Sequence, residues 1–112
     1  MGKQGTLTSA ADFRRTYNEG KRGAARSIVA HVRLTQDEHP PRIGVTTTRG
    51  LGGAVERNRV KRRLRAAVRV LRAEIKQGAD VVLVGSTGAA SAEFQDLVYK
   101  ARRALAEAGG CR

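Results

Sequence analysis

Val60, Leu64, Ala67, Val68, Leu71 and Ile75 recur at the three-and-four spacing of one helical face, which predicts a long amphipathic helix over residues 54–76. Residues 27–34 follow a different period: Ile28, Ala30, Val32 and Leu34 alternate with Val29, His31 and Arg33, the pattern of a strand with one apolar face and one mixed face open to a ligand. A turn at 37–41 leads to a second strand at 42–48 with Ile43, Val45 and Thr47 on one side. The run Asp-Val-Val-Leu-Val at 80–84 has no polar alternation, so it predicts a central strand covered on both faces. Ser9 followed by Asp12 makes a capping-box-like start for a helix over 10–19, stopped by Gly20, with Phe13 and Tyr17 on one face. A last helix is expected from a Ser91 cap to about Ala108, packing Phe94, Leu97, Val98, Ala101, Ala104 and Leu105. The small-residue stretches at 50–53 and 85–90 read as loops, and Gly109-Gly110 as a stop.

Three helices interleaved with strands define an α/β (α+β) two-layer sandwich, a small mixed sheet of about four strands carrying helices. A chain of 112 residues with 40% hydrophobic content supports a single domain, 1–112, with 1–6 and 109–112 expected to be flexible. The strand–helix–strand unit across 42–84 would by the general rule cross over right-handed.

Charge changes the picture of the long helix. The net charge is +12, and Arg57, Arg59, Lys61, Arg62, Arg63 and Arg65 crowd into its first half. At about 100° per residue, Asn58, Arg62, Arg65, Arg69 and Lys76 point away from the apolar stripe. Lys61 and Arg72 border the stripe, while Arg59 and Arg63 take its other flank. A merely solvated helix intersperses acids at i,i+4; here only Glu56 and Glu74 stand at the two ends, so the middle repels itself without a polyanion. Arginine's forked donors suit phosphate oxygens, so the partner expected is nucleic acid, with RNA favoured. No run approaches the roughly 20 apolar residues of a spanning helix, and Met1–Thr8 has no signal-peptide core; no membrane partner and a cytoplasmic location are the expectations. The single Cys111 excludes an internal disulfide.

Candidate chemistry is sparse. Gly50-x-Gly52-Gly53 departs from a dinucleotide-binding turn, since Val55 stands where the third glycine belongs. Small residues before a helix N-terminus flanked by Arg57 and Arg59 still suit a backbone phosphate. Phe13 and Tyr17 fit either core packing or base stacking beside a basic groove. His31 and His39 lack partners at metal-ligand spacing, so no metal site is expected. The ten acids are scattered, mostly at caps and turns, which is the pattern of a binder rather than of a metal-dependent nuclease.

The order of parts carries more. Pro-Arg-Ile-Gly-Val, then Ala-Val-Glu-Arg-Asn-Arg-Val-Lys-Arg-Arg-Leu-Arg at 54–65, then Asp-Val-Val-Leu-Val, behind an aromatic-bearing first helix, resembles the bacterial ribonuclease P protein component. The resemblance runs from about Leu7 to Leu105, with Arg57-Asn58-Arg59 at its centre. It implies a protein subunit of ribonuclease P that binds a catalytic RNA and the 5′ leader of precursor tRNA. The RNA would supply the active site and its Mg2+, so the protein would hold no cofactor and no catalytic residue, and no protein partner is evident. Carried over by position, the ribozyme-facing set is Arg57, Asn58, Arg59, Lys61, Arg62, Arg65 and Arg69, and the leader cleft is Phe13, Tyr17, His31 and Arg49. The resemblance also implies a left-handed βαβ crossover of the ribosomal protein S5 domain 2-like kind. The chain departs from the family's pattern where Gly50 follows Arg49, where His31 replaces a common aromatic, and where Lys3 alone holds charge near the N-terminus. A structural RNA-binding protein of ribosomal type is the alternative from another class, and a protein nuclease the third.

Overall fold

The computed structural model describes Thr6, Leu7 and residues 9–112. Numbered in chain order, the elements are α1 (Ala10–Glu19), β1 (Lys21–Ala25), β2 (Ile28–Leu34), β3 (Arg42–Thr47), α2 (Ala54–Leu71), β4 (Ala79–Gly85), α3 (Gly88–Ser91) and α4 (Phe94–Glu107). The four strands form one mixed sheet in the order β1-β2-β4-β3, with β4 antiparallel to β2 and parallel to β3. The apolar run in β4 is therefore central, and all but Val84 of its residues are buried.

Strand alternation sorts the two faces. Ile28, Ala30 and Val32 of β2 lie level with Gly85, Leu83 and Val81 of β4, and these with Thr47, Val45 and Ile43 of β3. This face packs on α2 and α4, whose stripes Val60, Leu64, Ala67, Val68, Leu71 and Leu97, Val98, Ala101, Ala104, Leu105 are all buried. Ile75 completes the stripe, although the helix tightens at Leu71 and runs through a 3-10 turn over Arg72–Glu74 instead of continuing to residue 76. The opposite face is only part covered. Helix α1 lies across it, with Thr16 buried and Phe13 set against Gly44, where any side chain would collide with the ring.

Several expectations shift. β1 has no apolar alternation to announce it; it pairs with β2 through five residues, and Gly23 lets it sit flush against the backbone of α4. Residues 85–90 are not all loop, since α3 occupies the end of that stretch. The cap of α4 is Glu93, whose carboxylate accepts from the Asp96 amide, rather than Ser91. Gly20 ends α1 in an extended conformation, and glycine is needed there for close approach to the Val32 carbonyl. Residues 109–112, expected to be loose, are paired instead: the Lys76 amide donates to Gly110 O and the Arg112 amide to Glu74 O, each at 2.8 Å. The expected flexibility of 1–6 falls, apart from a bridge between Thr6 and Ile43, outside the described residues.

Candidate nucleic-acid interface

Helix α2 divides its cations by what they touch. Asn58, Arg62, Arg65 and Arg69, spaced to share one face, are exposed and make no side-chain hydrogen bond or ion pair among the described residues. Lys61 beside them is half-buried. The other flank is tied down: Arg59 Nε donates to Ala90 O at 3.1 Å, and Arg63 donates from Nε to Ala89 O at 3.1 Å and from Nη2 to Ala92 O. These carbonyls end the short α3, so two arginines cap it where its own chain cannot. Arg57 turns back to the Gly52 carbonyl at 2.9 Å. Of the two arginines expected to hold a phosphate at the helix N-terminus, each thus spends one donor on the protein.

The uncovered part of the second sheet face forms a groove of about 630 Å³. Its floor is Val29, Val84 and Thr46, level with one another across β2, β4 and β3. Tyr17 and His31 wall one end, with ring centroids 4.5 Å apart and planes at 67°. Burial pushes the Tyr17 phenol above its ordinary pKa, and burial followed by the neighbouring Arg22 holds the His31 imidazolium below its own. Arg22 and Arg49 supply the charge, and Thr46, on the groove side of β3, adds a hydroxyl.

Of the four residues expected in a single cleft, Tyr17, His31 and Arg49 meet in this groove and Phe13 does not. Phe13 lines a separate hollow with Gly44, Arg65 and Arg69, one turn away along α1. Nothing in the sequence marks Arg22, because β1 carries no apolar alternation. Thr46 carries no motif, and only the strand register reveals that it faces the groove.

Beyond α1 the same face carries a charge cluster. Asp80, 1% exposed, accepts from Arg42 Nε at 2.9 Å and Nη2 at 3.0 Å, and from Arg33 Nη1 at 3.3 Å. His39 Nε2 lies 3.8 Å from the same carboxylate. The hydrogen bond to Asp80 raises the pKa of Arg42 further. Each carboxylate oxygen accepts from an arginine of a neighbouring strand, which fits a clamp between strands. Among the described residues no three His, Cys, Asp or Glu side chains are placed to share a metal ion, and no helix is long and apolar enough to cross a membrane.

Fold and surface together define a basic α+β protein, with a cationic helix face on one side and an aromatic-walled basic groove on the open sheet. A family profile for ribonuclease P matches residues 1–109. The chain is 40% identical over 104 residues to the ribonuclease P protein component of Gluconacetobacter diazotrophicus, covering 92% of this chain and 90% of that one. To the component of Symbiobacterium thermophilum it is 38% identical over 109 residues, covering 97% and 95%. Its fold superposes on the RNase P protein of Staphylococcus aureus with a TM-score of 0.82 at 24% identity, over 98% of this chain and 100% of that one. The RNase P protein of Thermotoga maritima gives 0.75 at 25% identity, over 87% and 91%. The chain belongs to the ribonuclease P protein family.

Proposed function

We propose that this protein assists a catalytic ribonuclease P RNA in removing the 5′ leader of precursor tRNA, holding the ribozyme with the exposed face of α2 and the leader in the open groove of the sheet. The observation that carries the division of labour is the contrast on α2: Asn58, Arg62, Arg65 and Arg69 have no protein partner among the described residues, whereas Arg59 gives its Nε, and Arg63 its Nε and Nη2, to carbonyls at the end of α3. Unpaired guanidinium groups in a row repel one another until phosphates neutralise them, and each neutralised phosphate releases counterions. The groove suits a single strand, because Tyr17 offers a ring for stacking while Arg22 and Arg49 meet the backbone.

The chemistry falls to the RNA. Asp80, the one buried carboxylate among the described residues, is held by Arg33 and Arg42 as a structural clamp, and in this reading the protein supplies binding while the RNA would supply the Mg2+ ions and the reacting groups. A cytoplasmic location accompanies this reading. Adding the purified protein to a bacterial ribonuclease P RNA at moderate magnesium should raise cleavage of a precursor tRNA at the 5′ end of the mature sequence. Cleavage by protein alone would replace this reading with a protein nuclease, and no stimulation together with recovery of ribosomal RNA from cells would replace it with a ribosomal-type protein.

A further inference from the structure

The hollow that takes Phe13 is not part of the leader groove; no residue lines both. It measures about 270 Å³ and opens at the outer edge of β3, beside the Thr6–Ile43 bridge, between α1 and α2. Leu7, Ile43 and Val68 are its buried walls, Phe13 and Val45 are half-buried, and Arg65 and Arg69 are exposed at its mouth. The β3 edge adds polar groups of fixed direction. The Ile43 carbonyl accepts from the Leu7 amide at 3.3 Å on the side away from β4, whereas the Thr48 amide donates to Gly85 O on the β4 side. Alternation along the strand therefore turns the main-chain N–H and C=O of Val45 outward, on the same side as Ile43 O and beside the hollow.

Three features converge: an apolar slot with a phenyl ring in its wall, a main-chain donor and acceptor side by side, and two arginines at the mouth. An apolar side chain of a protein partner would satisfy the slot and leave the other two idle. A planar heterocycle with donors and acceptors on its edge and a phosphate on either side uses all three. Resting on the reading of this protein as an RNA binder, we propose that the hollow takes one unpaired nucleobase, its edge on the Val45 main chain and its flanking phosphates on Arg65 and Arg69. The base must be unpaired, since pairing would occupy the edge that reaches Val45. The site lets α2 and α1 grip one strand between them, separately from the groove walled by Tyr17 and His31.

The test uses the full chain with labelled methyl groups and two probes, a short oligoadenylate and an abasic ribose-phosphate strand of the same length. A nucleobase in the hollow shifts the methyl signals of Leu7, Val45 and Val68 with oligoadenylate and leaves them in place with the abasic strand. Val45→Phe, which fills the slot, should weaken oligoadenylate binding by about fivefold or more, the scale of one stacked base, and leave the abasic strand unaffected. Val68→Ile serves the same purpose should thermal melting show that the larger ring disturbs folding. Shifts confined to the Val29 and Val84 methyls of the open groove would overturn the proposal. So would equal binding of both strands, weakened alike by Arg65→Ala, an outcome that leaves RNA binding intact and reduces the hollow to a phosphate contact. If neither strand binds, RNA binding itself fails, and this proposal with it.

Discussion

The ring of Tyr17 stands edge-on to the imidazole of His31, 4.5 Å between centroids, so helix α1 and strand β2 present one aromatic corner to the open groove. Tyr17 keeps 40% of its surface exposed there. A core residue would not. Replacing it with Leu preserves apolar bulk while deleting the ring, so Tyr17→Leu should melt within a few degrees of wild type. The preference of the reconstituted holoenzyme for precursor tRNA over mature tRNA should fall, by about 1–3 kcal/mol if one base stacks on the ring. Binding assays with both substrates check this. An unchanged preference removes Tyr17 from leader recognition.

His31 sets the pH behaviour of the same corner. Its folded pKa is depressed by burial and by Arg22, whereas in the unfolded chain it is ordinary, about 6.5. The unfolded chain therefore takes the proton first, and stability contributed by neutral His31 is full above that value and declines as pH falls below it. The imidazole titration followed by NMR should have its midpoint below the ordinary value, and Arg22→Ala should move it upward. Between about pH 7.5 and 5.5 the wild-type Tm should fall more than that of His31→Gln.

Asp80 shows where periodicity reaches its limit. The run at 80–84 reads correctly as a central strand, although Val84 faces the open groove instead of being covered, and nothing in that pattern says that its first residue is a buried carboxylate held by Arg33 and Arg42 from two neighbouring strands. The apolar stripe of α2 was legible to the residue because one helix face alone sets it. β1 was not legible, since Lys21, Arg22 and Gly23 are shaped by pairing to β2 and by contact with α4, which are relations between distant segments. The same holds for the site. Position on the helix separated the outward arginines from the flank of Arg59 and Arg63, but that the flank caps α3 required knowing where Ala89 and Ala90 lie. Phe13 and Tyr17 share a helix face and still enter different cavities, because Gly44 admits one ring and the floor at Val29 and Val84 leaves room beneath the other.

Asp80→Asn should act on folding and not on chemistry. It leaves Arg33 and Arg42 without their shared counter-charge at a site that is only partly wet, for a loss of about 2–4 kcal/mol in urea denaturation. Below the melting temperature, with saturating protein and magnesium, the rate of leader cleavage by the ribozyme should equal the wild-type rate. A folded, assembled Asp80→Asn holoenzyme that had lost the chemical step would make this carboxylate catalytic.

Arg62 and Arg63 are neighbours in sequence with opposite expected behaviour. Arg62 is exposed with no protein partner among the described residues, so Arg62→Ala should leave stability within about 0.5 kcal/mol of wild type. Its affinity for ribonuclease P RNA should drop, and the slope of log affinity against log salt should flatten by about 0.7–0.9, one phosphate contact. Arg63 donates to two carbonyls that α3 cannot satisfy by itself, so Arg63→Ala should lower stability by about 1–2 kcal/mol and leave the salt slope near its wild-type value. Thermal melts and salt titrations on both variants separate the two roles. A flattened slope for Arg63→Ala with an unchanged melt would place the RNA on the α3 flank of the helix instead of its outward face.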